Sequence, residues 1–238
     1  MCKKCGSEVS PYVTECPYCG TRLRKRAPKL DKGGVPKAPR PALSRLRPGE
    51  IPGIRADALR RPYATGALVV LSLFGYLLLA ITSRGDVAVA GPVDGEWWRL
   101  ATTPFLYGNV WYELAAVTTI AIFGTLLERR HGPLVVVVLF FLGGAGGAAL
   151  EVAVNGDSAL AVGGNGAALA LLAAWAVPDL LRRRRGEDVN GDLLGAAVIA
   201  VLLLVLPAAA AEASVVAGVA GALAGLLAGL LLARVSRA

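Results

Sequence analysis

The chain has 238 residues, of which 55% are hydrophobic, and its mean hydropathy is +0.57. An average soluble domain is less apolar, so this composition indicates an integral membrane protein. The formal net charge of +8 raises the question of nucleic acid, but residues 1–61 hold 15 Lys and Arg against 5 Asp and Glu, whereas residues 62–238 hold 10 against 12. The basic excess therefore belongs to a segment beside the first apolar run, and we expect no nucleic-acid partner.

The N-terminal residues 1–24 contain every cysteine of the chain, in two CxxC pairs: Cys2, Cys5, Cys16 and Cys19. Each pair can bind one ion from a tight turn, and two such turns complete a tetrahedral set of sulfur ligands. A segment this short has no adequate core, so metal binding would supply its folding energy. We predict a zinc ribbon-like module with a structural Zn²⁺. Four free thiols in a flexible tail and a redox CxxC are the alternatives, although a redox pair lacks its usual βαβ surroundings.

Residues 25–61 form the next segment, which is rich in Pro, Lys and Arg and has few bulky apolar residues. Such a composition cannot bury a core. We therefore expect an extended, disordered linker that lies against the inner leaflet of a membrane, where anionic lipids attract basic residues. A membrane domain follows it, over residues 62–238.

Apolar runs in the membrane domain predict six transmembrane helices, near residues 64–82, 106–127, 133–153, 159–178, 193–207 and 213–233. About 20 residues are needed to cross about 30 Å of hydrocarbon. The second run is the least apolar because it carries Glu113 and several threonines, and the fifth is short and ends at Pro207. The fold class is therefore all-α membrane, a six-helix bundle.

The arginines of the membrane domain alternate in a way that fits six spans. One set of helix ends holds clusters, and the other set holds only Arg84 and Arg99; the clusters are Arg60–Arg61, Arg129–Arg130, Arg182–Arg185, and Arg234 with Arg237. Because positive residues remain on the cytoplasmic side, this pattern predicts that both termini are cytoplasmic. We expect the protein in the cytoplasmic membrane of a bacterium.

Four stretches of the membrane domain resemble, in order, motifs of the rhomboid family of intramembrane serine proteases. They are Gly95-Glu96-Trp97-Trp98-Arg99 with Thr103-Pro104-Phe105-Leu106, the segment Gly124 to Gly132 that contains Glu128-Arg129, the segment Gly163-Gly164-Asn165-Gly166-Ala167, and the glycine ladder Gly221, Gly225 and Gly229. The resemblance covers about residues 64–235 and implies a six-helix rhomboid-like bundle. In that fold the ladder lets the sixth helix pack closely on the fourth.

The resemblance also implies where a catalytic site would lie. Active rhomboids use a Ser on helix four as nucleophile and a His on helix six as its base, while a His and an Asn on helix two help to hold the oxyanion. Carried over position by position, these residues become Asn165, Gly218, Tyr112 and Ala116 in this chain. All of these positions are changed.

These replacements predict an inactive protease, because acyl transfer needs a nucleophile with an adjacent base. An Asn amide is not nucleophilic and Gly218 has no side chain. The single histidine, His131, falls at the inner end of helix two and is too far away to act as base. We identify no base for Ser158 or Ser214, which fall near the outer face.

Three buried polar residues have more than one interpretation. Glu113 and Glu151 are ionisable groups at membrane depth, which are functional candidates by default. They suit either an interfacial or hydrated position, or a role in client binding or proton handling. Asn165 either bridges helices through its amide, with Tyr112 as a candidate partner, or recognises a substrate backbone.

Three functions remain open at this level. The first is a non-catalytic rhomboid-like protein, a pseudoprotease, that binds transmembrane segments of clients and docks a cytoplasmic partner through the zinc module. The second is an active intramembrane peptidase with an unforeseen nucleophile. The third is a small carrier or lipid-handling protein, in which the fourth helix would not be enclosed by the others.

Overall fold

The computed structural model describes residues 2–9, 13–23, 61–79, 81–82, 87–187 and 191–235. The predicted linker at 25–61 lies outside the described residues except for Arg61, as do Arg60, Arg84 and Arg237 of the predicted topology. The chain divides into two compact units, residues 1–55 and 56–238, and each is described by itself.

The described part of the first unit consists of two matching turns, and an antiparallel β-bridge between Glu15 and Arg22 flanks the second of them. In each turn the glycine after a CxxC pair donates its backbone N–H to the carbonyl of the first cysteine: Gly6 to Cys2 and Gly20 to Cys16, both at 2.9 Å. Gly6 and Gly20 have φ values of +70° and +67°, a left-handed conformation that glycine adopts without steric cost.

The second unit is helical in its described residues. The helices are α1 Tyr63–Leu79, α2 Trp98–Thr102, α3 Val110–His131, α4 Pro133–Asn155, α5 Asn165–Arg184, α6 Leu193–Val205 and α7 Val215–Val235. Two short antiparallel strands, β1 Val89–Ala90 and β2 Leu160–Ala161, pair Val89 with Ala161. Single 3₁₀ turns lie at Thr103–Phe105, Gly156–Ser158 and Leu206–Ala208.

Local signals explain where the long helices begin and end. Asn109 precedes α3, and its side-chain oxygen accepts the backbone N–H groups of Trp111 and Tyr112 at 2.9 and 3.2 Å, as an N-cap does. Gly132, with φ of 92°, ends α3, and Pro133 starts α4. Two adjacent residues, Gly132 and Pro133, therefore set the turn between these helices.

Three helices in the described part of the chain are long and apolar enough to cross a membrane: Val110–His131, Pro133–Ser158 and Val215–Arg234. Two more apolar helices, Tyr63–Leu79 and Leu193–Ala208, are shorter. The chain is therefore a multi-pass membrane protein, and the crossing of the bilayer by six helices stays a prediction.

Two predicted spans were misplaced. The fourth, predicted at 159–178, begins only at Asn165 because Leu160 and Ala161 pair as a strand and Gly163 turns the chain with φ of +101°. It also continues through Pro178 to Arg184. The second, predicted at 106–127, is the helix Val110–His131, because the Asn109 cap and the Gly132 stop set its ends.

Helix α5 lies at the centre of the second unit, and every residue from 165 to 175 is buried. In a small carrier or lipid-handling protein this helix was expected not to be enclosed by the others, and the observed enclosure contradicts that expectation. The glycine ladder of α7 approaches the backbone of α5 closely: a Cβ at Gly221 would collide with the carbonyl oxygen of Gly166, and one at Gly225 with that of Ala170. The predicted close packing of these two helices is confirmed.

Candidate functional site

Three of the four positions to which the resemblance assigns catalytic residues, Tyr112, Asn165 and Gly218, come together at one end of α5. Tyr112 and Ala116 lie one turn apart on α3, Asn165 is the first residue of α5, and Gly218 lies in the first turn of α7. All four are buried, with Tyr112, Ala116 and Asn165 between 0% and 2% exposed. A Cβ at Gly218 would lie 3.0 Å from Nδ2 of Asn165. The two positions that would carry the nucleophile and its base are therefore neighbours in the fold.

Both polar atoms of the Asn165 side chain form hydrogen bonds. Its Nδ2 donates to the carbonyl oxygen of Ser214 at 2.8 Å, and its Oδ1 accepts the backbone N–H of Gly166 at 2.9 Å. Its backbone N–H, in turn, donates to the hydroxyl of Tyr112 at 3.3 Å. The amide thus ties the start of α5 to the residue before α7, which agrees with a helix-bridging role, while Tyr112 contacts the backbone of Asn165 and not its amide.

The ring of Tyr112 fills the space beside the turn that precedes α5. A Cβ at Gly163 would collide with the ring and hydroxyl of Tyr112, so only glycine fits there. Tyr107 packs edge-on against Tyr112, with ring centroids 5.2 Å apart. The place of the helix-two histidine is therefore packed with aromatic side chains.

Ser214 has a carboxylate partner that the sequence did not reveal. Its Oγ donates to Oε2 of Glu151 at 2.6 Å and accepts the backbone N–H of Ala217 at 2.9 Å. Glu151 Oε1 also accepts from Nδ2 of Asn155 at 2.6 Å and from the N–H of Leu160 at 3.4 Å. The sequence identified no base for Ser214, because Glu151 lies 63 positions away along the chain and only the fold brings the two side chains together.

The chemistry open to this pair is limited. A carboxylate is a much weaker base than the imidazole that usually activates a serine, and Ser214 also caps the first turn of α7. The hydroxyl of Ser158 instead donates to the carbonyl oxygen of Asn155 at 2.8 Å in an exposed turn.

Glu113 differs from Glu151, although both side chains are 5% exposed. Among the described residues, Oε1 of Glu113 has no hydrogen-bond partner, and the same holds for the hydroxyls of Ser72 and Tyr107. The carboxylate of Glu151 is satisfied by hydrogen bonds within the bundle, which agrees with a structural role, whereas Glu113 carries a buried carboxylate oxygen without such a partner.

His131 lies at the far end of the molecule from Asn165. It is the last residue of α3, 19 positions after Tyr112, which corresponds to about 28 Å along the helix axis. It lines a cavity of about 440 Å³ together with Arg130 and Asp179. These two side chains form a bidentate ion pair, in which the guanidinium nitrogens of Arg130 donate to Oδ1 and Oδ2 of Asp179 at 3.1 and 3.2 Å.

Glu128 has a role that the sequence did not disclose. Its carboxylate accepts the backbone N–H groups of Ala64 and Thr65 at 3.0 and 2.7 Å and the Thr65 hydroxyl at 2.7 Å. A carboxylate at a helix N-terminus satisfies unpaired N–H groups and interacts favourably with the helix dipole. Gly124, one turn earlier, faces Thr65 so closely that a Cβ would lie 2.9 Å from it. The segment around Glu128 is therefore the docking site of α1.

The four predicted cysteine ligands come together in the first unit. Their Sγ atoms all lie within 4.8 Å of one another, with Cys2 to Cys19 at 3.7 Å and Cys5 to Cys16 at 3.6 Å. Zn–S bonds of about 2.3 Å set tetrahedral sulfurs about 3.8 Å apart. The donor set therefore fits a tetrahedral thiolate site.

The thiols of this set differ in acidity before any metal binds. Hydrogen bonds from the side chain and backbone of Ser7 lower the pKa of Cys5 to about 6, whereas burial raises the pKa of Cys16 to about 11. A bound cation would have to displace the proton of Cys16, since only the thiolate is a metal ligand.

Two family models match the chain. The rhomboid domain model matches residues 94–235, and the zinc-ribbon domain model matches residues 1–23. No curated protein matches the chain. The two matched regions contain, respectively, the cluster around Asn165 and the four cysteines.

Proposed function

This chain belongs to the rhomboid family, and we propose that it is a non-catalytic member, a pseudoprotease, that binds transmembrane segments of client proteins. The observation that carries the proposal is the state of the Asn165 amide. It stands at the nucleophile position, it is buried, and both of its polar atoms are bound to backbone groups.

Chemistry at the neighbouring positions supports the loss of activity. Gly218 offers no base beside Asn165, and Tyr112 replaces a group that would hold an oxyanion by an aromatic ring that fills the site. Removing either the nucleophile or the base of a catalytic dyad abolishes acyl transfer through it. Since both the nucleophile and the base are replaced here, the residues at these positions contribute packing and hydrogen bonds to the bundle and no acyl transfer.

The surface beside α6 supports the binding of a client helix. Helix α6 has only Ala196 and Leu203 buried, so it is peripheral to the bundle. An α3–α6 groove of about 370 Å³ is lined mainly by apolar side chains: Ile122, Phe123, Leu126, Trp175 and Ile199. Trp175 Nε1 is buried and has no hydrogen-bond partner among the described residues, so this side chain contributes apolar ring surface to the groove.

Further parts of the proposal concern topology and the zinc ribbon. We propose that six helices cross a bacterial cytoplasmic membrane and that both termini lie in the cytoplasm. There the zinc ribbon would hold one Zn²⁺ through Cys2, Cys5, Cys16 and Cys19, and it would dock a protein partner. The arginines at the ends of α3, α5 and α7 support this orientation. Reporter fusions after residues 132, 158 and 187 test it.

The activity test compares the purified wild type with purified variants on a fluorogenic transmembrane substrate. We expect the wild type to be silent and an Asn165→Ser/Gly218→His variant to cleave, because those two positions are in contact. Cleavage by the wild type that survives Asn165→Ala contradicts the proposal. If Ser214→Ala then abolishes it, the Ser214–Glu151 pair is the active one, which is the second candidate function.

Client binding is tested separately by photo-crosslinking in membranes. A benzoylphenylalanine at Ile199 should capture a transmembrane client, and one at Leu142, which is 51% exposed on α4, serves as the matched control. Equal capture at both positions would show that contact with clients is random.

A further inference from the structure

Four consecutive arginines end α5, and the fold divides them into two pairs. Arg182 and Arg185 line the cavity that contains Asp179, and both pair with Glu187, at 3.2 and 3.8 Å. This shared side follows from helical geometry, because residues three positions apart lie on one face.

Arg183 and Arg184 line a different cavity, the α5–α6 groove, of about 430 Å³. Its other lining residues are apolar: Leu180, Leu193, Leu194 and Ala197. Among the described residues, no acidic side chain forms an ion pair with Arg183 or Arg184. The groove therefore combines two uncompensated guanidinium groups with an aliphatic floor.

The position of the groove adds to its attraction for an anion. It lies between the last turn of α5 and the first turns of α6, at the end of the bundle that carries the arginine clusters. The Asp192 carboxylate already caps the first turn of α6 by accepting the N–H of Gly195 at 2.9 Å, so the positive charge of the groove comes from Arg183 and Arg184. Leu180 and Leu194 are 42% and 77% exposed, so aliphatic surface is available next to the charges.

We propose that the α5–α6 groove binds an anionic phospholipid of the inner leaflet. Arg183 and Arg184 hold the headgroup phosphate by charge-assisted hydrogen bonds, and an acyl chain lies on Leu180, Leu193 and Leu194. Inorganic phosphate has no apolar part that could contact the leucines of the groove. A zwitterionic lipid would bring its own cationic group close to the two arginines, which repel it. The ligand class follows from this combination of charge and apolar surface.

A topology anchor is the simpler explanation of the cluster, and it predicts something different. Orientation in the membrane depends on the number of positive charges near a helix end, so all four arginines would be equivalent. Lipid binding at the α5–α6 groove requires Arg183 and Arg184 in particular. Two double variants with the same net charge therefore separate the two explanations.

The test is native mass spectrometry of the full-length protein in mild detergent, titrated with phosphatidylglycerol or phosphatidylcholine. We expect Arg183→Gln/Arg184→Gln to weaken phosphatidylglycerol binding about thirtyfold, and Arg182→Gln/Arg185→Gln to weaken it less than about threefold. Ala197→Trp, which fills the groove and leaves every charge, should also weaken it. As a control for folding, the thermal unfolding temperature of each variant is measured and should match that of the wild type.

Three results would overturn the proposal. They are equal losses in the two double variants, equal binding of phosphatidylcholine by the wild type, and displacement of the lipid by millimolar inorganic phosphate. The first would leave the arginines as a topology anchor, the second would remove the selectivity for charge, and the third would make free phosphate the ligand.

Discussion

In the zinc ribbon, four thiols within 4.8 Å of one another form the centre of a segment whose described residues include only turns and a single β-bridge. In the membrane domain, helices α5 and α7 meet through glycines along most of their length. The first region concentrates its stability at one point, whereas the second distributes it over many close contacts. The comparison teaches that one lost side chain should have an all-or-none effect in the zinc ribbon and a graded effect in the membrane domain.

The largest effect is expected from Cys16→Ser, which removes a buried ligand. Structural zinc contributes on the order of 10–16 kcal/mol to such modules, so the variant should lose its metal and the segment should become protease-sensitive. Metal analysis and limited proteolysis of the full-length protein measure this, with Glu8→Gln at an exposed position as a control that keeps all four thiols. The melting temperature of the membrane domain should not change, and a parallel fall would break the comparison.

A smaller but still severe effect is expected from Gly221→Ala on α7. The added Cβ meets the backbone of Gly166, which cannot move aside as a side chain can, and we expect a loss of about 3 kcal/mol or more. Gly146→Ala is the matched control because no atom lies within 4 Å of the Cβ that it adds. Denaturant titration in detergent should rank the two variants, and equal stabilities would show that α5 and α7 are not in close contact.

An intermediate effect is expected from Asn165→Ala. It leaves the Gly166 N–H without a partner in a buried place, which costs about 1–3 kcal/mol, and it removes one of the two hydrogen bonds of the Ser214 carbonyl, which still accepts the N–H of Gly218 at 3.1 Å. Asn165→Asp should be at least as damaging, because it sets a second acceptor against the Ser214 carbonyl. If instead both variants unfold at the wild-type denaturant concentration, the amide is not a structural bridge.

The smallest effect is expected from Glu128→Gln. The substitution keeps the size of the side chain but removes the charge that accepts hydrogen bonds from the first turn of α1, and we expect a loss of about 1 kcal/mol. Thr65→Val, which removes only the hydroxyl donor, should cost less. Hydrogen exchange at α1 measures both, and a larger loss in Thr65→Val would contradict a role for the charge.

Much of the candidate site could be predicted from local sequence. The cysteine spacing indicated a metal centre, and three of the four family-aligned positions, Asn165, Gly218 and Tyr112, come together in the fold. The start of α5 was predicted six residues too early, because the apolar residues 159–162, which precede the Gly163-Gly164-Asn165-Gly166 segment, were counted as part of the helix. Strand pairing of Leu160 and Ala161 with residues 89–90 separates the two parts.

The sequence by itself determined the properties that depend on short spacing or on composition: the thiol quartet, the apolar runs, the arginine clusters and the ordered motifs. Only the tertiary structure decided which distant residues become partners. It joined Ser214 to Glu151, Glu128 to the start of α1, and Arg183 with Arg184 to an apolar groove and not to an acid. The physical reason is that hydrogen bonds and ion pairs form within about 3–4 Å in space, whereas these partners lie up to 64 positions apart along the chain.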